Sequence, residues 1–310
     1  MVLFKEIGQM KRTAYIKQFI LFILAGTGAT LQVNAQQLGG YLQYQQHTEQ
    51  INPAYSLASD QAKLYTVGRK QWMGVDGAPT TILAGGHIKT ANERSSVGFN
   101  VLYDKIGPER YTEANAYYGY SLKLSEKDYL GATVGLGLRW YQARTSLVEG
   151  YDQALRADIN ERVGTFGLSF LYYRKDQFYV GATLPRLGGE QFEDVQIFRE
   201  DYSFTGGYLF EVDPGLHIKT NTWISVMQDQ DVLINFSAMA YFNRKFGIGA
   251  NYMNTRNLGV LASFAVNNKL KFCYGYQFGV GNTMMASPGN GTHEISLSYH
   301  FSRGGLINLL

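Results

Sequence analysis

Residues 111–140 read YTEANAYYGYSLKLSEKDYLGATVGLGLRW, and this stretch decides the fold. Ala114, Ala116, Tyr118, Tyr120, Leu122 and Leu124 alternate with Glu113, Asn115, Tyr117, Gly119, Ser121 and Lys123. After a polar interval at 125–128, Leu130, Ala132, Val134, Leu136, Leu138 and Trp140 alternate with Gly131, Thr133, Gly135, Gly137 and Arg139. A period of two sends successive side chains to opposite faces of a strand. The apolar face is too long and too aromatic for one side of an ordinary soluble sheet. The opposite face mixes glycine with full charges, which is the texture of a barrel with lipid outside and polar groups within. A soluble sandwich would also alternate, but its outer faces would be polar.

Working outward, similar runs fall at 61–70, 80–89, 94–104, 161–173, 178–184, 202–210, 216–227, 232–242, 246–253, 258–266, 270–279 and 291–301. With the central pair, 111–124 and 129–146, they predict an all-β, transmembrane, antiparallel up-and-down β-barrel of about 14 strands spanning 61–301. The even-numbered connections, such as Thr90 to Glu93 and Asn243 to Lys245, are tight and polar. The long ones, Lys70 to Pro79, Leu147 to Asn160, Pro185 to Asp201 and Val280 to Asn290, fall on the other side only. In bacterial barrels the long side faces outward, so both termini are expected in the periplasm. In the last run Ile295, Leu297, Tyr299 and Phe301 alternate with Ser296, Ser298 and His300, resembling the aromatic-ended terminal strand of outer-membrane barrels. A tail, 302–310, follows.

The N-terminus supplies an address. Lys11, Arg12 and Lys17 precede the apolar run Phe19 to Ala25, and small residues lead to a cleavage site between Ala35 and Gln36. Residues 1–35 therefore read as a signal peptide, because the apolar run is too short for a spanning helix. Residues 36–60 are expected to be periplasmic or inserted in the lumen. Four of the 28 basic residues and one of the 25 acidic residues lie in the leader, so the rest balances at 24 of each. Such a chain has no electrostatic footprint for nucleic acid. Outer-membrane lipid is the expected surrounding, and the 23 tyrosines and 18 phenylalanines suit membrane interfaces.

Candidate chemistry is sparse. His47, His87, His217, His293 and His300 show no metal-ligand spacing, so neither metal nor cofactor is expected. Ser296 or Ser298 with His300 would make a nucleophile and base, but Glu294 is the nearest acid and residues two apart in a strand do not orient each other by default. No catalytic residue is assigned, and Cys273 reads as a small lumen-side filler. Asn100, Asn115, Arg139, Lys219, Asn221, Asn235, Asn251 and Gln277 project inward, where water or mutual hydrogen bonds must satisfy them. The candidate plug is 36–60.

The segment before and after the first strand is the most specific. Leu42, Gln43 and Tyr44 lead to Ile51, Asn52, Pro53, Ala54 and Tyr55; Arg69, Gln71, Trp72, Gly74, Gly77, Ala78, Pro79 and Thr80 follow. Together they resemble the PorP/SprF family, outer-membrane barrels of the type IX secretion system of Bacteroidetes. The resemblance implies a non-catalytic barrel that supports export, or surface attachment of a partner protein of gliding or adhesin type. Its partners would be an exported surface protein or components of the type IX machinery. Tyr151, Phe192 and Phe198, in two long loops, are expected cargo contacts. Physically, Pro53 fixes its own φ and pushes Asn52 toward extended geometry, so the chain turns sharply before the barrel. Trp72 and Arg69 would anchor the first strand or dock a partner. The alternative function is a pore or transporter for small or apolar ligands, with the N-terminal segment as a hatch.

Overall fold

The computed structural model describes residues 40–90, 93–144, 158–187, 201–227, 230–281, 290–301 and 309. Fourteen strands close into one antiparallel barrel, each paired with its sequence neighbours and the last paired with the first. They are β1 (Ala62–Lys70), β2 (Thr80–Lys89), β3 (Ser95–Ile106), β4 (Glu109–Lys123), β5 (Asp128–Ala143), β6 (Ile159–Arg174) and β7 (Phe178–Leu187). Then come β8 (Asp201–Asp213), β9 (Leu216–Met227), β10 (Leu233–Phe242), β11 (Phe246–Met253), β12 (Asn257–Ala265), β13 (Leu270–Gly279) and β14 (Thr292–Phe301). The alternating runs read from sequence coincide with these strands to within three residues at every end.

Closure follows from registry. β1 and β14 pair from Ala62 opposite Phe301 to Lys70 opposite His293, which leaves no edge strand with unpaired backbone. The longest ladders join β4 to β5, from Glu109 opposite Ala143 to Lys123 opposite Tyr129, and β5 to β6, from Asp128 opposite Arg174 to Ala143 opposite Ile159. The alternation that opened the sequence reading becomes a two-sided wall. Leu136 and Leu138 point outward, 71% and 68% exposed, while Arg139 points inward at 1%. Exposed apolar side chains recur outward on every strand from Leu64 on β1 to Phe301 on β14, a surface that only hydrocarbon or another apolar phase can satisfy.

The tight connections gather at one end of the barrel and the long ones at the other. β1 begins and β14 ends at the tight-turn end. Residues 40–60 lie inside. Gly40 sits against Met253 and Leu233, residues at the long-connection ends of β11 and β10. Asp60, just before β1, pairs with Lys175 at 2.9 Å and Lys89 at 3.8 Å at the tight-turn end. Residues 40–60 thus run through the lumen from the long-connection end at Gly40 to the tight-turn end at Asp60, and the N-terminus expected in the periplasm lies outside the described residues. Along this path the segment's apolar side chains Leu42, Ala54 and Leu57 are wholly buried, and its backbone bonds to the wall at Leu42, Gln43 and Gln45.

Candidate functional site: a lumen filled by the N-terminal segment

Two short 3-10 turns, Thr48–Gln50 and Pro53–Leu57, organise the plug. Asn52 caps the second. Its backbone is extended, φ −126° and ψ 96°, as the following proline requires, and its Oδ1 accepts from the Ala54 N–H at 3.0 Å. The same amide reaches the wall, donating from Nδ2 to Phe170 O at 3.2 Å and Thr205 Oγ1 at 3.3 Å. Gly181 makes this possible, since a Cβ there would meet Asn52 Nδ2 at 2.3 Å and Phe170 O at 2.7 Å. Ala54 and Leu57 are wholly buried, and Tyr55 meets Tyr179 edge-on at 4.8 Å between ring centroids.

The first turn of the plug is held by a carboxylate. Glu294 on β14 is wholly buried and accepts from the backbone N–H groups of Leu42 at 2.9 Å and Gln43 at 3.0 Å. Arg69, directly opposite it on β1, places Nε 3.1 Å from the same carboxylate. Leu42 then drops into a slot where the wall has no side chains: a Cβ on Gly259 or Gly275 would lie 2.2 or 2.5 Å from its methyl groups. Tyr44 donates its hydroxyl to Asn221 O at 2.8 Å and Asn235 O at 3.1 Å, and packs against Trp223. Ser296 donates to Gln43 Oε1 at 2.5 Å.

Charge concentrates toward the tight-turn end. Lys63 lies 2.7 Å from Glu49 and donates to Gln46 O at 2.6 Å. Lys219 donates to Gln45 O at 3.1 Å and the Tyr55 hydroxyl at 3.2 Å, and Lys271 to Gln46 Oε1 at 2.7 Å. Burial pushes the Glu49 carboxyl up, but Lys63 and His87 outweigh it and hold the group below its ordinary value of 4.5. His47, stacked on Tyr65 at 4.4 Å, is driven well below its ordinary value by burial and then by Lys63, Lys271, His300 and Lys219.

At the long-connection end a recess remains above the plug, with a cavity volume of about 90 Å³. Tyr41 stacks on Trp223 at its wall, beside Ile51, Met227 and Leu233. Glu113 and Asn115 lie in the same lining, joined at 2.8 Å, and Arg139 closes on Glu113 at 3.2 Å. Asp201 accepts from Ser225 at 2.6 Å.

The sequence motif therefore divides. Asn52, Pro53, Ala54 and Tyr55 are plug anchors, Arg69 joins plug to barrel seam, and the remainder builds the β1–β2 connection. Gln71 faces the Arg69 guanidinium and accepts from Nη2 at 2.8 Å in the amide orientation that satisfies both groups. Trp72 turns the chain with φ +42°, and its carbonyl accepts from the Val75 N–H at 2.9 Å. Gly74 is exposed in that turn. Gly77, at φ +74°, accepts from Gly107 N at 3.0 Å and so ties two connections together. Lys70 donates to the carbonyl of Ala78, and Ala78 and Pro79 are buried.

Other sequence candidates fare differently. Ser298 Oγ and His300 Nε2 are 3.3 Å apart and buried among the lysines beneath the plug. Cys273 is buried in the lumen wall. Ala35, Gln36, Tyr151, Phe192 and Phe198 lie outside the described residues. Among the inward polar residues, Asn100, Lys219 and Asn235 donate to the plug's backbone, to Glu49, Gln45 and Tyr41 respectively. Sequence reasoning passed over Glu49, Lys63 and the apolar seat formed by Leu171 and Leu261, and weighed Glu294 only as an acid beside Ser296, Ser298 and His300. The signal for that seat was present: the doublets Phe170-Leu171 and Val260-Leu261 break strict alternation, placing apolar groups on both faces.

Residues 33–299 match the family described as type IX secretion system membrane protein PorP/SprF. The chain belongs to the PorP/SprF family. No curated protein matches the sequence. Among solved structures, the PorP/SprF chain is similar in fold to outer membrane protein Omp33 of Acinetobacter baumannii, with TM-score 0.50 and 10% identity over 78% of this chain and 98% of that one. It is similar also to CymD, a monoaromatic hydrocarbon channel, with TM-score 0.52 and 12% identity over 90% and 96%. Both likenesses concern the barrel fold, and this PorP/SprF protein is an outer-membrane protein.

Proposed function

We propose that the barrel is a non-catalytic docking component of the type IX system, which supports export or surface attachment of a partner protein through its long-connection end. The observation that carries this reading is the filled lumen. A plug held by the Glu294 carboxylate, the Lys63–Glu49 pair and the Asn52 amide leaves the barrel's ends, not its interior, as working surface. The β1–β2 connection with Trp72 and the segments carrying Tyr151, Phe192 and Phe198 are the surfaces assigned to the partner. Affinity capture from outer membranes tests it: Trp72→Ala, or deletion of 188–200, should lose the partner and its export while barrel levels stay normal. Capture of the same partner by both variants refutes it.

A second reading, a pore with an N-terminal hatch, has one observation in its favour, the recess lined by Tyr41, Trp223, Met227 and Leu233. Planar-bilayer recording separates the two. Robust conductance by the purified wild-type barrel, independent of any partner, favours transport.

A further inference from the structure

We infer that the small cavity at the tight-turn end of the lumen is a binding site for a monatomic anion of halide size. Three lysines from three strands, Lys63, Lys219 and Lys271, line it together with His87, His300, Leu309 and, among the described residues, a single carboxylate, Glu49. Glu49 is taken by Lys63 at 2.7 Å. Lys219 and Lys271 have only neutral acceptors among the described residues: the Gln45 carbonyl and Tyr55 hydroxyl for one, the Gln46 side-chain oxygen for the other. Among the described residues, therefore, three lysines share one carboxylate in a single lumen pocket, an excess of positive charge that a bound anion would offset.

A second observation points into the same space. The Gln45 side chain is 1% exposed and lines the cavity, yet neither its amide nitrogen nor its amide oxygen has a hydrogen-bond partner. Its N–H₂ is a donor awaiting an acceptor beside two cations. Size selects the ligand. The cavity holds about 30 Å³, room on the order of one or two water molecules, which admits a halide but neither a phosphate nor a lipid headgroup. Because Lys219 and Lys271 come from the wall while Gln45 and Gln46 come from the plug, a bound anion would join the two.

The test uses the full chain, purified in detergent in a gluconate buffer at constant ionic strength. Bromide or chloride is titrated while the unfolding temperature is followed. The expected result is a saturable rise with wild-type protein and at least a tenfold weaker apparent affinity in Lys219→Met. Bromide-soaked crystals should show an anomalous peak between the Lys219 and Lys271 ammonium groups. No saturable halide response, an equal response in Lys219→Met, or saturation by inorganic phosphate instead of halide each overturns the proposal. Should Lys219→Met fail to form a barrel, the wild-type anomalous map decides: a peak at that position upholds the site. Density confined to the outer surface means an adventitious ion only and refutes it.

Discussion

Replacing Glu294 by alanine should unlock one end of the plug without opening the barrel. The carboxylate serves three groups at once, the N–H of Leu42, the N–H of Gln43 and the Arg69 guanidinium. Removing one partner of a buried ion pair costs about 3–5 kcal/mol, largely because the remaining charge is stranded. Taking about 4 kcal/mol as the change in the local opening equilibrium, and about 1.4 kcal/mol per tenfold, hydrogen exchange at 42–46 should accelerate by about three decades. Full expulsion is not expected. Leu42 still fills the Gly259 and Gly275 slot, worth about 1.5–3 kcal/mol of buried side chain, and the Asn52 anchor is untouched. Exchange at 52–57 should accordingly stay at the wild-type rate. Glu294→Gln keeps the shape and one acceptor oxygen, and should fall between. The assay is hydrogen exchange read by mass spectrometry on barrels whose closure is checked by heat-modifiable gel mobility. Wild-type protection of 42–46 in closed Glu294→Ala barrels would refute the account.

Further outcomes follow from the same geometry. Gly275→Val should displace Leu42 and destabilise the plug by about 1–3 kcal/mol, and Leu42→Ala in the same chain should restore much of the loss; denaturation of the single and double variants checks this. Because the folded-state pKa of Glu49 lies below its ordinary 4.5, its contribution is present above that value and is lost as pH falls through the lower folded value. Acid loosening of the plug, followed by Trp223 fluorescence, should therefore be steeper in wild type than in Glu49→Gln. On the outer face, Leu136→Arg should cost about 2–4 kcal/mol if that position lies near the bilayer midplane; folding into lipid vesicles measures it.

The wall was legible because its rule is local. Each strand carries its own record of lipid on one side, so 111–140 sufficed to call the architecture and the remaining runs followed. The lumen was not legible in the same way. A polar inward residue looks alike whether water or protein satisfies it, and Asn235 gives no hint in sequence that the Tyr41 carbonyl will receive its amide. Ion pairs are harder still. Arg69 and Glu294 meet only because the first and last strands close the cylinder, a fact no window of sequence contains. Asn52-Pro53 was the exception, since proline geometry and an asparagine cap act over two residues.

The placement of Glu294 ties the last seam of the wall to its contents. It sits on the strand that completes the cylinder, faces the first strand's Arg69 across the final seam, and grips the segment that lies within. A closed wall with a vacant interior would keep the Arg69–Glu294 pair but leave the carboxylate without the two backbone N–H donors it has here. The filled cylinder is therefore the better satisfied of the two closed forms, and what it contains is part of its last joint.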